Sequence, residues 1–262
     1  MGANKITDLL RAISGSEAQH AFTSARIVAA GLSERFGGTR TKQMTLLCGT
    51  PVLIHTLAAY QNADSINEII IVARPDEIEA WKRLSAKHGI SKLSKIVEGG
   101  ATRQDSVLCG FEAINEKAKF VAIADGARCL TTPEQINEVC RAAYKYDAAT
   151  AAHRSTDTVK IADRKGFIDA TADRDIVWLA QTPQVFKVNL YRAAAYTALQ
   201  RGFIATDDNS LVEEVGGSVR LVECGVQNIK ITTQDDMALA AGIIAQRRRK
   251  AKKNDKKGEP RK

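Results

Sequence analysis

Short apolar runs that favour β-strands alternate with helical patterns through the first 152 residues, and this rhythm constrains the fold most strongly. We expect strands near residues 25–29, 68–73, 94–98, 119–124 and 147–152. The segments between them have helical patterns near residues 51–61, 76–88, 103–116 and 133–145. Such alternation predicts βαβ units with right-handed crossovers, and therefore an α/β fold with a mostly parallel sheet and helices on both faces. Ligands should then bind where the carboxyl ends of the strands meet.

A different pattern occupies residues 155–181, which we interpret as a protruding β-arm. Residues 157–162 and 167–171 flank the polar sequence Asp163-Arg164-Lys165-Gly166, which is typical of a β-hairpin. Two strands alone are marginally stable, so we expect the hairpin to pack against another surface, such as a second subunit. After the arm we expect a helix near 187–200, a strand near 219–223 and a last helix near 234–247.

The composition is that of one large domain. The chain has 262 residues, of which 44% are apolar and 26% are charged, and these values are ordinary for a globular protein. The longest apolar runs, such as residues 69–73, are far too short to span a bilayer, and the N-terminus has no signal-peptide pattern. We therefore expect no membrane association, an N-terminal extension over residues 1–22, a single domain over 23–246 and a tail over 247–262.

The cysteines favour a reducing compartment. There are five, which is an odd number, and no two are spaced as Cys-x-x-Cys. This pattern argues against a disulfide framework or a zinc site and favours the cytoplasm. The four histidines are scattered along the chain and form no metal-ligand pattern.

The net charge of +8 belongs to the C-terminal tail. Residues 247–262 carry ten of the 38 Lys and Arg residues and two of the 30 acids, so the remaining chain has 28 of each. A block of like charges is usually disordered and solvated, which is our prediction for the tail. It could contact nucleic acid weakly and in a salt-dependent way, but it has no aromatic residue to stack on bases. Nucleic-acid binding is therefore the weaker alternative.

A loop of small residues follows the first predicted strand. The apolar run ends at Ala29-Ala30-Gly31, and Ser33, Arg35, Gly37-Gly38 and Lys42 come after it. Small residues allow backbone N–H groups to approach a ligand, while Arg35 and Lys42 can bind phosphate oxygens. The chain lacks both the P-loop pattern and Gly-x-Gly-x-x-Gly, so we predict a nucleoside triphosphate site of another kind. The alternative is an ordinary strand-to-helix turn with solvated basic residues.

A second loop with glycines follows another predicted strand. Gly99-Gly100 precedes a helix start that contains Thr102, Arg103 and Ser106. Backbone N–H groups at such a helix start can face an anionic ligand. The alternative is a tight turn in which Thr102 or Asp105 caps the helix.

Asp125-Gly126-Ala127-Arg128 places a carboxylate directly after a third buried strand. Mg²⁺ prefers few protein ligands together with phosphates and waters, so Asp125 could hold Mg²⁺ against triphosphate oxygens. Arg128 could bind a second phosphate. The alternative is an Asx-type turn with an exposed arginine.

The later polar motifs are weak when each is taken alone. They are Asp157-Thr158-Val159-Lys160, Thr171-Ala172-Asp173-Arg174, residues 178–184, Thr206-Asp207-Asp208 and Asn228-Ile229-Lys230-Ile231-Thr232. Thr206 or Asp207 could simply cap a helix over residues 208–214, and Lys230 could be a surface lysine.

Taken together, in this order and spacing, the motifs from about residue 26 to residue 244 resemble the 2-C-methyl-D-erythritol 4-phosphate cytidylyltransferase family. The matching pieces are Ala-Ala-Gly with Arg35 and Lys42-Gln43, Gly-Gly with Arg103 and Ser106-Val107, Asp-Gly-Ala-Arg, Asp-Thr-Val-Lys, Asp-Arg with Trp178, Gln-Thr-Pro-Gln, Thr-Asp-Asp, and Asn-Ile-Lys-Ile-Thr. The resemblance implies a Rossmann-like nucleotidyltransferase sheet and a homodimer in which the arms are exchanged. It also implies a Mg²⁺-dependent reaction of CTP with 2-C-methyl-D-erythritol 4-phosphate that releases pyrophosphate, in non-mevalonate isoprenoid biosynthesis.

The resemblance also implies roles for matched positions. Nucleotide-binding residues would be Ala29, Ala30, Gly31, Ser33, Gly100, Arg103 and Ser106. Catalytic residues would be Arg35, Lys42 and Lys230. Residues that contact the sugar-alcohol phosphate would be Asp125, Arg128, Thr158, Arg174, Thr206 and Lys230. Asp125 would also face the metal, and Thr158 and Arg174 lie on the arm that, in this family, reaches into the partner subunit's site.

Three positions depart from the family pattern. The lysine is usually preceded by proline, but here Thr41 precedes Lys42. Ala124 stands in place of a histidine before Asp125, and Cys129 stands in place of a proline. The charged residues are kept, which favours an active enzyme. The alternatives are a cytidylyltransferase for ribitol 5-phosphate or another polyol phosphate, and a non-catalytic relative that binds nucleotide or RNA.

Overall fold

The computed structural model describes residues 21–31, 36, 41–100 and 102–258, without the side chains of Arg103 and residues 254–258. The predictions for Ser33, for Arg35 and for the side chain of Arg103 therefore lie outside the described residues. Nearly all of the predicted N-terminal extension, residues 1–20, lies outside them as well.

The described strands include all those expected from the sequence, together with β2, β3 and β10, which were not expected. They are β1 (Thr23–Val28), β2 (Leu46–Leu47), β3 (Thr50–Pro51), β4 (Glu68–Ala73), β5 (Leu93–Glu98), β6 (Phe120–Asp125), β7 (Ala148–Arg154), β8 (Lys160–Ala162), β9 (Ile168–Thr171), β10 (Trp178–Lys187) and β11 (Arg220–Glu223). The helices are α1 (Val52–Gln61), α2 (Ile78–Lys87), α3 (Arg103–Glu112), α4 (Pro133–Tyr146), α5 (Val188–Arg201), α6 (Asp208–Glu214) and α7 (Gln234–Gly258).

Seven strands form the main sheet, in the order β11-β7-β10-β6-β1-β4-β5. Neighbouring strands are parallel except where β10 pairs antiparallel with β6 and β7. The predicted α/β fold with a mostly parallel sheet is therefore confirmed. The carboxyl ends of β1, β5 and β6 lie at one edge of this sheet, so the loops that follow them are the natural place for a ligand.

Strand β10 was not expected from the sequence. Pro183 lies within it, and a proline cannot donate a hydrogen bond to the sheet, so proline is unusual in a strand between two partners. The pairing of β10 with β7 shifts register between Ala180 and Gln184, which places Pro183 in an irregularity where the donor is not needed. This irregularity lies beside the end of β6 and contributes polar groups to the site.

Helices pack on both faces of the sheet. One face joins Ala122 and Ala124 of β6 to buried side chains of α1, α2 and α4, and the other joins Val121 and Ile123 to buried side chains of α3, α5 and α6. Successive side chains of this strand thus pack on opposite faces of the sheet, as they do along any β-strand. Strands buried on both faces read as continuous apolar runs, which is why the sequence located them well.

The β-arm is formed as predicted. Strands β8 and β9 pair antiparallel in a sheet of their own, and all their residues are exposed. Asp163 closes the hairpin tip, because its Oδ1 accepts hydrogen bonds from the amides of Lys165 and Phe167, each at 2.9 Å. The arm rejoins the body at β7, where the Ser155 amide donates to the Val177 carbonyl at 3.0 Å.

The last helix is longer than expected. Helix α7 continues to Gly258, so the predicted helix end near residue 247 is wrong, and so is the predicted disorder over residues 247–258. Residues 246–257 contain no glycine or proline, and their Ala, Lys, Arg and Gln residues have high helix propensity. Positive charges near a helix C-terminus also interact favourably with its dipole. Arg247 attaches this helix to the body through a 2.7 Å hydrogen bond from Nη1 to the Leu130 carbonyl.

Within the part of the chain that the structure describes, no helix combines the length and the apolar character needed to cross a membrane.

Candidate active site

The loops after β1 and β5 are in direct contact. A Cβ atom added to Gly99 would lie 2.5 Å from the Cβ of Ala30 and 3.0 Å from Oγ of Ser106. The Ala29 amide donates to the Val72 carbonyl at 2.7 Å, and the Gly99 amide donates to the Ala73 carbonyl at 2.9 Å. The two predicted nucleotide-binding loops therefore lie side by side at the carboxyl edge of the sheet, and only glycine fits at position 99.

The start of α3 is a capping box. The Asp105 amide donates to Oγ1 of Thr102 at 3.1 Å, and the Thr102 amide donates to Oδ2 of Asp105 at 3.1 Å. The cap expected as the alternative at this position is thus present. The buried Ser106 hydroxyl donates to the Gly100 carbonyl at 3.3 Å. Ser106 therefore fixes the Gly99-Gly100 loop, and its contact with nucleotide stays a prediction.

Lys42 lies in a turn that begins at Thr41, where the Met44 amide donates to the Thr41 carbonyl at 3.0 Å. Its charge acts on Asp236 in the first turn of α7. Burial raises the pKa of the Asp236 carboxyl, but hydrogen bonds from Thr233 and Thr232 and the Lys42 charge outweigh this effect and lower the pKa overall. The predicted phosphate-binding lysine is thus half-buried beside a carboxylate.

Asp125, Arg128 and Lys230 form the charged centre of the site. Lys230 Nζ lies 2.8 Å from Oδ2 of Asp125, and Arg128 Nε lies 4.0 Å from the same oxygen. The end of β6 is held by a 3.1 Å hydrogen bond from the Asp125 amide to Oγ1 of Thr182 in the β10 irregularity. The sequence predicted these three charged residues as one substrate-binding set, and the structure brings them together.

Arg128 is more buried than the alternative of an exposed turn arginine requires, since its side chain is 14% exposed. Its Nη1 donates to the Asn228 carbonyl at 2.7 Å and its Nη2 to the Ala180 carbonyl at 3.5 Å. Burial lowers the pKa of this guanidinium, although the charge of Asp125 opposes the effect. A second negative group beside Arg128 would therefore be favourable.

Asn228 is a buried residue whose importance was missed. Its amide nitrogen donates to Oε1 of Gln181 at 3.1 Å and to the Thr182 carbonyl at 2.9 Å, while its Oδ1 accepts from Oγ1 of Thr131 at 2.7 Å. Asn228 thereby joins the loop that carries Lys230 to β10 and to the segment after Asp125. Its place two residues before the lysine in the last motif was the available signal.

Gln184 connects β10 to the loop that contains Thr206. Its Nε2 donates to Oδ2 of Asp207 at 2.8 Å, and its Oε1 accepts from the Asp208 amide at 3.0 Å. Asp207 caps α6, because its Oδ1 accepts from the Ser210 amide at 3.0 Å, which confirms the helix-cap alternative for this residue. Thr206 itself is exposed next to that cap.

Gln104 joins the Thr206 loop to the start of α3. Its Nε2 donates to the Phe203 carbonyl at 3.3 Å, and its Oε1 accepts from the Ala205 amide at 3.4 Å. The loops that the sequence assigned to nucleotide and to acceptor are thus linked by side-chain hydrogen bonds.

Thr158 and Arg174 are exposed on the arm. Arg174 begins a one-turn 3₁₀-helix, Arg174–Ile176, just before β10. Their predicted contact with acceptor involves a second subunit, so the structure of one chain leaves it a prediction.

Comparisons with known proteins agree with this geometry. A family model described as 2-C-methyl-D-erythritol 4-phosphate cytidylyltransferase matches residues 24–246. A protein of that name from Caldanaerobacter subterraneus subsp. tengcongensis is 44% identical over 218 residues, which cover 83% of this chain and 96% of the relative. Another from Thermosynechococcus vestitus is 39% identical over 222 residues, covering 85% and 95% of the two chains.

Solved structures give the same result. The 4-diphosphocytidyl-2C-methyl-D-erythritol synthase of Anaerococcus prevotii superposes with a TM-score of 0.79 at 32% identity, covering 88% of this chain and 99% of that one. The 2-C-methyl-D-erythritol 4-phosphate cytidylyltransferase of Thermus thermophilus gives a TM-score of 0.69 at 29% identity, with coverages of 84% and 98%. On the match of sequence and fold, the chain belongs to the 2-C-methyl-D-erythritol 4-phosphate cytidylyltransferase family.

Proposed function

We propose that this chain transfers a cytidylyl group from CTP to 2-C-methyl-D-erythritol 4-phosphate, with release of pyrophosphate, as a step of non-mevalonate isoprenoid biosynthesis. Besides the family membership, the observation that carries the proposal is the grouping of Lys230, Arg128 and Asp125 at the end of β6. This group lies at the edge of the sheet where the glycine loops that suit a nucleotide also meet.

The chemistry is a substitution at phosphorus. An oxygen of the acceptor phosphate attacks the α-phosphorus of CTP, and the bond from that phosphorus to the departing pyrophosphate breaks in line. A phosphate monoester dianion is already a nucleophile, so no general base is required. Both reactants are anions, and catalysis therefore rests on positioning and on stabilising negative charge.

Residue roles follow from where the charges lie. Lys42, with Arg35, binds the triphosphate and stabilises charge on the leaving pyrophosphate. Lys230 binds the acceptor phosphate and aligns its attacking oxygen, while Asp125 holds the Lys230 ammonium in place at 2.8 Å before substrate arrives. Arg128 adds a second positive charge on the same side, and Thr206 contacts the acceptor from the neighbouring loop.

Mg²⁺ belongs to the same proposal. No cluster of three or more His, Cys, Asp or Glu ligands occurs among the residues that the structure describes, and Mg²⁺ does not need one, because it is commonly held by one or two carboxylates with phosphates and waters. Asp125, a carboxylate at the edge of the nucleotide loops, fits that chemistry and would hold the ion. When bound, Mg²⁺ supplies positive charge that offsets the repulsion between the two anionic substrates.

We further propose a homodimer with exchanged arms. The arm and its base expose large apolar side chains, with Phe167 71% and Ile176 75% exposed. Exposed apolar patches of this kind often mark protein interfaces. In the dimer, Thr158 and Arg174 of one subunit reach the acceptor site of the other.

Mixing two inactive variants tests the exchange. Arg174→Ala and Lys230→Ala are each expected to have little activity. If the arm serves the partner's site, a mixed dimer contains one intact site, and random mixing should restore about a quarter of wild-type activity. No recovery on mixing, with exchange of subunits verified by mass, contradicts the arm exchange.

The departures from the family pattern bear on whether the chain is an active enzyme. Ala124 and Cys129 are buried, 1% and 6% exposed, so these departures change the support beneath the site and leave its charged residues in place. This observation favours an active enzyme over a non-catalytic relative. Removing residues 248–262 should leave turnover unchanged, whereas a protein whose role is RNA binding through the tail would lose its RNA affinity.

The substrate is tested by offering two acceptors in parallel. Pyrophosphate release is measured with CTP and Mg²⁺, using 2-C-methyl-D-erythritol 4-phosphate in one assay and ribitol 5-phosphate in the other. We expect turnover with the first acceptor. Turnover with ribitol 5-phosphate alone would show that the chain catalyses the same reaction type with a different acceptor. The reaction is expected in the cytoplasm, where the five unpaired cysteines would stay reduced.

A further inference from the structure

The turn that carries Lys42 is joined to α1 by backbone hydrogen bonds, from the Val52 amide to the Thr45 carbonyl at 3.0 Å and from the Leu53 amide to the Gln43 carbonyl at 3.2 Å, and to the start of α2 by a side chain. Thr41, the first residue of the turn, donates a hydrogen bond from Oγ1 to Oε1 of Glu77 at 2.6 Å. The carbonyl of Thr41 accepts from the Met44 amide at 3.0 Å and from Oγ1 of Thr45 at 3.2 Å. Thr41 is therefore the residue through which the whole turn is fixed to Glu77.

Glu77 is itself held rigidly. It precedes the first residue of α2 and is 7% exposed. Its second oxygen, Oε2, accepts a hydrogen bond from Nε1 of Trp81 at 3.1 Å, and Trp81 is fully buried in the core. One carboxylate thus joins the Lys42 turn on one side to a core tryptophan on the other.

Packing alone does not set the position of the turn. A cavity of about 430 Å³ lies between the turn and α2, lined by Thr41, Met44, Pro51, Arg74, Glu77 and Leu84. The hydrogen bond between Thr41 and Glu77 spans this space between the turn and the start of the helix. The turn could shift toward the cavity if that bond were removed.

We propose that Glu77 is a positioning residue for Lys42, acting through the hydroxyl of Thr41. The inference rests on the proposed role of Lys42 at the triphosphate. The family pattern has a proline before this lysine, and a proline restricts the backbone by its ring. In this chain a hydrogen bond to a buried carboxylate takes over that restraint. Lys42 itself interacts with Asp236 on α7, since the Lys42 charge lowers the pKa of that carboxyl.

The test is a substitution that removes the hydroxyl of Thr41 and keeps the shape of its side chain. Thr41→Val should raise the KM for CTP and weaken CTP binding by about tenfold, since one hydrogen bond to a charged group is lost. The KM for the acceptor should change little, because Lys230 and its loop are untouched. Thr41→Ser keeps the hydroxyl and should restore the CTP parameters to within about twofold of wild type.

A matched control comes from the rim of the same cavity. Asp76 lines the cavity and is ion-paired with Arg74 at the surface, Oδ1 to Nε 3.0 Å. Asp76→Asn should leave the kinetics unchanged, which separates the Glu77 contact from general effects of removing an acid here. Thermal unfolding of every variant is recorded, and Thr41→Ala replaces Thr41→Val if the latter does not fold.

Three results would overturn the inference. Thr41→Val could match wild type in both CTP binding and kinetics. Thr41→Val and Thr41→Ser could be equally impaired, so that the hydroxyl is not the cause. Thr41→Val could lower the thermal stability and leave CTP binding and kinetics unchanged, which would show that Thr41 has a purely structural role. CTP binding is measured by calorimetry without acceptor, so the inference is tested even if wild type shows no turnover with 2-C-methyl-D-erythritol 4-phosphate.

Discussion

Lys230 Nζ lies 2.8 Å from Oδ2 of Asp125, although the two residues belong to separate elements. Asp125 is the last residue of β6, and the Lys230 loop follows β11 on the far edge of the sheet. Asn228 brings the second loop across, through its hydrogen bonds to Gln181, Thr182 and Thr131. The charged centre thus depends on a neutral buried amide.

Replacing Lys230 by methionine should lower kcat/KM for the acceptor by about 10²-fold, because a charge that stabilises the reacting phosphate is lost. The affinity for CTP should change little. Lys187→Met is the control, since Lys187 pairs with Asp147 at 3.1 Å on the surface, with both side chains about half exposed. Steady-state kinetics check both. An equal loss in the two variants would show that any lysine deletion impairs the enzyme.

Asn228→Ala should lower the free energy of unfolding by about 2–4 kcal/mol, because buried hydrogen-bonding groups of Gln181, Thr182 and Thr131 lose a partner. Urea denaturation measures the loss. Asn62→Ala is the comparison, because the Asn62 side chain is exposed and its Nδ2 donates to the Ala58 carbonyl at 2.9 Å. Equal costs in the two variants would contradict the structural role of Asn228.

Gly99→Ala should cost about 1–3 kcal/mol of stability through overpacking and weaken CTP binding, since its Cβ would lie 2.5 Å from that of Ala30. Combining it with Ala30→Gly removes the nearer clash and should recover part of both losses. Gly242→Ala, where a new Cβ meets no atom within 4 Å, is the control. Calorimetric titration measures CTP binding, and thermal unfolding measures stability. If the losses of the two single variants simply add in the double variant, the contact between the two loops is refuted.

The cysteines should react in two classes at pH 8. Burial raises the pKa of the Cys129 and Cys140 thiols to about 12 and that of Cys224 to about 11, so at pH 8 they stay protonated and unreactive. Cys48 and Cys109 are exposed. An aromatic disulfide reagent should therefore modify two thiols quickly in the native protein and all five after denaturation. Five fast thiols in the native protein would contradict the described burial.

The sequence predicted the fold well wherever apolar runs were continuous. Strands β1, β4 and β6 are buried on both faces, and such strands can be recognised in the sequence from their runs of apolar residues. Strand β10 did not, because Gln181, Thr182 and Pro183 interrupt the apolar pattern at the irregularity that supports Asp125. The local departure from a regular strand occurs where the site needs polar groups.

The candidate site was predictable only in part. Asp125 and Arg128 were predicted from their place after a buried strand, as a Mg²⁺ ligand and a phosphate ligand, whereas the role of Lys230 was predicted only from the resemblance to the family. The supporting contacts of Asn228 and Glu77 depend on segments far apart in the chain, which periodicity and spacing do not report. The end of α7 was predicted too early, because the block of like charges was taken to favour disorder, whereas Lys, Arg and Ala have high helix propensity.

The central claim is that this site joins CTP to 2-C-methyl-D-erythritol 4-phosphate, and Lys42→Ala tests it most directly. Pyrophosphate release is measured with saturating CTP, Mg²⁺ and acceptor, with the exposed Lys82→Ala on α2 as the control. We expect Lys42→Ala to lose about 10²-fold or more in turnover, as when a single electrostatic donor is removed, and Lys82→Ala to match wild type. Near-normal turnover of Lys42→Ala would contradict the assignment of the site.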